Sequence, residues 1–145
     1  MKIRSITCFF DPHGRASSQT LDRMGRLRAE ASSLYTKAGY DVQTTRLATA
    51  PFPTLYATDE IDSAVQLAQT LESDAKERGF DYISLGPALP DFPGSYEMVI
   101  PILQATQDVF LGGKMTIRGG DISLKAVRAC AQIITRAASV TPDGF

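Results

Sequence analysis

Little in this sequence announces a function. Its 145 residues hold two cysteines, one histidine and no tryptophan, and the formal charge is −1. Cys8 and Cys130 lie far apart and belong to no CxxC or Cys/His cluster, which excludes a disulfide framework and a structural zinc site. A near-zero charge gives no long-range pull toward nucleic acid or an anionic membrane. No apolar run approaches the roughly 18 residues of a spanning helix, and Met1-Lys2-Ile3-Arg4 opens into strand-like sequence rather than a signal peptide. No nucleic acid and no membrane are therefore expected as partners, and the expected compartment is the cytoplasm. Low-complexity stretches and domain-dividing linkers are missing too, so residues 1–145 read as one α/β domain. At this length roughly 68–70% of the unfolded surface can leave water, enough for a core without staples.

What is present is a repeated strand–helix cycle. Lys2 to Phe10 is rich in β-branched and aromatic residues and ends at the turn Asp11-Pro12-His13-Gly14. From Ser18 or Thr20, Leu21, Met24, Leu27, Ala31 and Leu34 recur at helical spacing up to Gly39. Asp41 to Leu47 reads as a second strand, closed by Ala50-Pro51-Phe52-Pro53, which should continue neither a helix nor a central strand. Thr58 or Asp59 is expected to cap a helix carrying Ile61, Ala64, Val65, Ala68, Leu71 and Ala75, with Gly79 as its stop. Asp81 to Gly86 is a third strand. Ser95 is expected to cap a helix to about Leu111, bent or restarted at Pro101; Lys114 to Arg118 is the expected fourth strand, and Asp121 the expected cap of a last helix.

Strict alternation implies parallel strands with right-handed crossovers. Strands buried on both faces should be continuous aliphatic runs. These are not: Ile6, Cys8 and Phe10 alternate with Ser5, Thr7 and Phe9, and Ile83 and Leu85 alternate with Tyr82, Ser84 and Gly86. The sequence thus predicts an α/β fold, a parallel half-barrel or open sheet with helices mainly on one face, its mixed side turned to a lumen, a cavity or a partner.

Ligands in such folds bind at the carboxyl ends of the strands. That places Asp11 and His13, Thr45 and Arg46, Gly86, and Arg118, Gly119, Gly120 and Asp121 on one expected rim, suited to a small polar or anionic metabolite. His13, the one side chain with an ordinary pKa near neutrality, is the general acid–base candidate, and Asp11 could orient it or hold a metal. The plainer readings are a solvated imidazole and a turn aspartate. Gly119-Gly120-Asp121 could offer backbone N–H groups to an anion, or Asp121 could simply cap a helix. Both cysteines fall on apolar faces and read as inert. Arg23, Arg26 and Arg28 read as a solvated flank. Nothing identifies a cofactor.

Several segments, in order, resemble the DUF711 family, also called UPF0210: Lys2-Ile3-Arg4-Ser5-Ile6-Thr7, Gln43-Thr44-Thr45-Arg46-Leu47-Ala48 with Pro51-Phe52-Pro53, Tyr82-Ile83-Ser84-Leu85-Gly86-Pro87, and Gly120-Asp121-Ile122-Ser123-Leu124 with Arg128-Ala129-Cys130-Ala131. The resemblance implies an α/β barrel related in architecture to pyruvate formate-lyase-type glycyl radical enzymes, built of two half-barrels. It implies no reaction, because the family is uncharacterised. An Arg-Val-x-Gly-type radical loop and an adjacent cysteine pair are both missing. Family members are considerably longer, and the turn Thr141-Pro142-Asp143-Gly144-Phe145 should introduce another strand. The expected partner is therefore a second copy or a complementary chain completing the barrel. Two functions follow: part of a metabolic enzyme, or a non-catalytic assembly module.

Overall fold

In a computed structural model the chain is described over residues 1–12, 17–56 and 60–140. The first expected strand is two, β1 (Lys2–Ile3) and β2 (Ile6–Phe10), and the second is likewise β3 (Asp41–Val42) and β4 (Thr45–Pro51). Both break at the same level, because β1 pairs with β3 and β2 with β4, all in parallel. The break is bridged rather than open: Thr44 Oγ1 donates to the Arg4 carbonyl at 2.8 Å and Ile6 N–H to the Thr44 carbonyl at 3.0 Å. With β5 (Tyr82–Gly86) and β6 (Val109–Phe110) the main sheet has the order β2-β4-β5-β6 and is parallel throughout. Helices α1 (Ser17–Lys37), α2 (Ile61–Glu77), α3 (Ser95–Ala105) and α4 (Leu124–Ala137) alternate with these strands. The fold is α/β with open, unclosed sheets, as the alternation predicts.

The core lies on one face of the main sheet. Cys8, Leu47, Ile83 and Val109 form one register row across its four strands, and all are buried. Leu21 of α1, Ala68 and Leu71 of α2, Met98 and Ile102 of α3 and Ala126 of α4 join them in a single cluster. The next row, Phe9–Ala48–Ser84–Phe110, points the other way, since successive side chains of a strand alternate. There Phe9 is 76% exposed and Phe110 56% exposed. One-sidedness is the property that positions everything below.

Several boundaries differ from expectation, each for a physical reason. The fourth strand is Val109–Phe110, not Lys114–Arg118, because α3 stops at Ala105. Glu72 of α2 holds the chain extended there, its Oε1 accepting the Gln107 and Asp108 N–H groups at 2.9 and 2.6 Å, while Lys76 pairs with Asp108 at 2.7 Å. Residues 114–123 instead form a hairpin: Ile117 N–H donates to the Asp121 carbonyl and Ser123 N–H to that of Met115. Asp121 is therefore in a hairpin arm, and Ser123 caps α4, its Oγ accepting from Ala126 N–H at 3.3 Å. Ser95 is the first residue of α3 rather than its cap, donating to the Phe92 carbonyl at 2.6 Å, and α3 runs through Pro101 as one helix. Thr58 and Asp59 lie outside the described residues; Glu60 stands at the N-cap of α2.

β4 also continues to Pro51, beyond the expected stop at Leu47. Proline lacks a ladder donor but is tolerated where a strand ends or its register shifts, and the β4–β5 register shifts between Ala48 and Pro51. In α1, Leu27 and Leu34 face outward although they continue the apolar row of Leu21 and Met24. The helix instead docks through Gly25, where a Cβ would stand 3.0 Å from Arg78 Cβ, and Arg78 Nε binds Asp22 at 2.8 Å.

Candidate functional site: a trough on the open sheet face

The row Phe9–Ala48–Ser84–Phe110 is large, small, small, large. Two aromatics on outer strands flank an alanine and a serine on central ones, so the open face is a trough rather than a plane. Its floor continues through Ala50 and Gly86 toward the carboxyl ends. Gly86 is required: a Cβ there would lie 2.4 Å from the backbone of Ala50 and Pro51, so only glycine lets β4 and β5 approach this closely. At the carboxyl end Phe9, Phe10, Asp11, Ala48, Thr49 and Ala50 line a depression of about 300 Å³. Tyr82 and Phe110 form one wall, their rings edge-to-face at 5.2 Å.

The expected rim residues separate into three groups. Asp11, after β2, and Gly86, at the end of β5, stand at the carboxyl end as predicted. The chain leaving β6 follows β5 past that end, Gly113 bridging Ala88, and then carries Arg118, Gly119, Gly120 and Asp121 outward in the hairpin. Gly119 and Gly120 have φ of 95° and 93°, and Gly120 N–H closes the turn on the Ile117 carbonyl. These glycines serve a turn, not a helix start. His13 lies outside the described residues.

Thr45 and Arg46 are at the opposite end, because they open β4 instead of closing it. Thr45 is buried and bound structurally: its N–H and Oγ1 donate to Asp81 Oδ2 at 2.7 and 2.9 Å, fastening β4 to the start of β5. Arg46 projects onto the open face between Thr7 and Tyr82, its register partners. Sequence reasoning passed over these two neighbours, along with the trough walls Phe9 and Phe110. The alternation of each strand contained the information, but only the register brings the positions side by side.

The thiols stay away from the trough. Cys8 is in the core, where burial pushes its pKa up against the lowering influence of Arg28. Cys130 packs on Gly113, where a Cβ would be 2.5 Å from Sγ, and burial raises its pKa too. A raised pKa means less thiolate at neutral pH. Thiol titration of the native protein at pH 7.5 should therefore run roughly tenfold or more slower than after denaturation; equal rates would place a reactive thiol at the surface. Tyr96, its phenol pKa raised by burial and then by Cys130 and Asp91, donates to the Lys114 carbonyl and pins the hairpin base. Among the described residues no group of three or more His, Cys, Asp or Glu gathers to hold a metal, and no helix is long and apolar enough to cross a membrane.

Comparison with known proteins yields one family. The model of a family described as Uncharacterised ACR (DUF711) matches residues 1–145. A UPF0210 protein of Actinobacillus succinogenes is 29% identical over 97% of this chain and 33% of its own length. UPF0210 proteins of Neisseria meningitidis serogroup C and Neisseria gonorrhoeae are 31% and 32% identical over 99% of this chain and 36% of theirs. The chain thus spans about a third of the length of these relatives.

Proposed function

The chain belongs to the DUF711 family, and on that basis we propose that residues 1–145 form one wall of a larger α/β enzyme that binds a small polar or anionic metabolite along the sheet's open face. The observation that carries this reading is the large–small–small–large row Phe9–Ala48–Ser84–Phe110 on the face turned away from the helices of the described residues. An exposed aromatic-walled trough is costly in water unless something occupies it, and a groove with small residues on its floor leaves room for a ligand. The remaining two thirds of the relatives' length is the natural cover, in keeping with the barrel that the family resemblance implies. Asp11 at the carboxyl rim is one half of the proposed acid–base pair, His13, two residues on in the sequence, is the proposed other half, and Arg118 on the hairpin tip supplies a cation. Gly119 and Gly120 give that tip its reach.

A second reading, a non-catalytic assembly module, is favoured by Leu27 and Leu34 on the outside of α1 and by Met115, Ile117 and Ile122 on the hairpin, all exposed apolar side chains. A thermal-shift screen with small carboxylates and phosphate esters separates the two. At a hundredfold excess over Kd a ligand adds about 2.7 kcal/mol, a rise of roughly 5–10 °C for a domain of this size. The enzyme reading expects such a compound and expects Asp11→Asn or Arg118→Ala to cut the shift. A library that moves Tm by less than about 1 °C throughout favours assembly.

A further inference from the structure

The four strands of the main sheet carry one charged side chain in all, Arg46. It stands on the central strand β4, at the amino-terminal end of the trough, with Thr7 on one side and Tyr82 on the other. No ion pair among the described residues includes it, and its Nε is shielded from solvent with no hydrogen-bond acceptor. The acid nearest in the sheet register, Asp81, is turned to the helix side, where its Oδ2 accepts from Thr45. Thr7 Oγ1 lies 3.2 Å from Ser5 Oγ, so hydroxyls cluster on one flank, while the Tyr82–Phe110 pair lowers the local polarity on the other. A shielded guanidinium donor without an acceptor is unfavourable until an anion arrives.

We infer that Arg46, flanked by Thr7 and Tyr82, is an oxyanion subsite that takes the carboxylate or phosphate of a small ligand lying in the trough. The guanidinium fork suits either group, and a low-polarity wall strengthens the charge-assisted hydrogen bonds. From Arg46 the floor runs over Ala48 and Ala50 to the depression beside Asp11, about 13 Å along the strand at roughly 3.3 Å per residue. One end of the trough would hold the anion, and the other would present the rest of the ligand to Asp11. This inference rests on the reading of the open face as a ligand-bearing interior.

The test is an NMR titration of the full 145-residue chain with inorganic phosphate and, separately, with succinate, in buffered physiological salt. Saturable shifts are expected at the Arg46 Nε–H and at the amides of Thr7 and Tyr82. R46Q should abolish them, and R46K should weaken binding by roughly tenfold, because a point charge cannot replace the fork. Should R46Q fail to fold, Tyr82→Phe together with Thr7→Val is expected to weaken binding several-fold. Shifts that never saturate, or that persist unchanged in the variants, overturn the inference. Absence of binding of either probe to the folded wild type overturns it as well, and leaves Arg46 to a side-chain carboxylate of the covering polypeptide; the reading of the open face as an interior is tested separately, without any anion, by whether the chain associates through Phe9 and Phe110.

Discussion

Leu47→Ala is expected to lower stability by about 2–5 kcal/mol, whereas Phe9→Ala is expected to change it by less than about 0.5 kcal/mol. Leu47 is 0% exposed in the middle of β4, between Cys8 and Ile83, so truncation removes buried methyls and leaves a cavity the neighbouring strands cannot close. Phe9 is the larger side chain, but its ring is on the open face and 76% exposed, so its loss leaves no cavity. In a domain of this size the Leu47 substitution should depress Tm by roughly 5–15 °C. Urea unfolding of both variants at low protein concentration checks the contrast. Comparable losses would mean that the sheet is packed on both faces, and the trough would not exist.

The sequence made the alternating order of elements legible because long helical periods such as Ala64, Ala68, Leu71 and Ala75 are unambiguous and end at glycines, Gly39 and Gly79, with positive φ. The one-sided strands were legible for the same kind of reason: Cys8 and Phe10, or Ile83 and Leu85, alternate with polar or exposed partners. The fourth strand was not. Val109-Phe110-Leu111 is a short apolar run that fits the end of a helix as well as a strand, and the choice was made by Glu72, 35 residues earlier, accepting Gln107 N–H. Likewise Asp121 and Ser123 are both good caps two residues apart, and the hairpin decided between them.

Of the site, the carboxyl-end residues Asp11 and Gly86 were legible from the turn and the glycine that follow their strands. Arg46 was expected at the carboxyl rim and stands at the other end of its strand. Treating Ala50-Pro51 as a strand breaker moved the end of β4 back to Leu47 and put Arg46 on the rim, whereas the strand continues to Pro51 and Arg46 lies at its start. Thr45 was misread for a related reason, since its hydroxyl is committed to Asp81, a partner 36 residues away. The trough itself depends on register between four strands, and pairing register is a tertiary fact that no single strand encodes.

The open face is also where the second large effect is expected. Phe9 on β2 and Phe110 on β6, packed on Tyr82, give the isolated chain exposed aromatics at both sides of the open face, and among the described residues the outer edge of β2 has no neighbouring strand in the main sheet order. Such a face and edge associate unless covered. Replacing both Phe9 and Phe110 by serine removes the most exposed aromatic of each wall without touching the Cys8–Leu47–Ile83–Val109 row, so the fold should persist while association is lost.

Size-exclusion chromatography with light scattering, on the wild-type chain and on that double variant at about micromolar to hundred-micromolar concentrations, reads this out. The wild type is expected to show a mass rising with concentration above the 15.7 kDa of one chain, and the variant to stay at it. A wild type that remains at the single-chain mass across the whole range would contradict the reading of this face as an interior surface awaiting its cover.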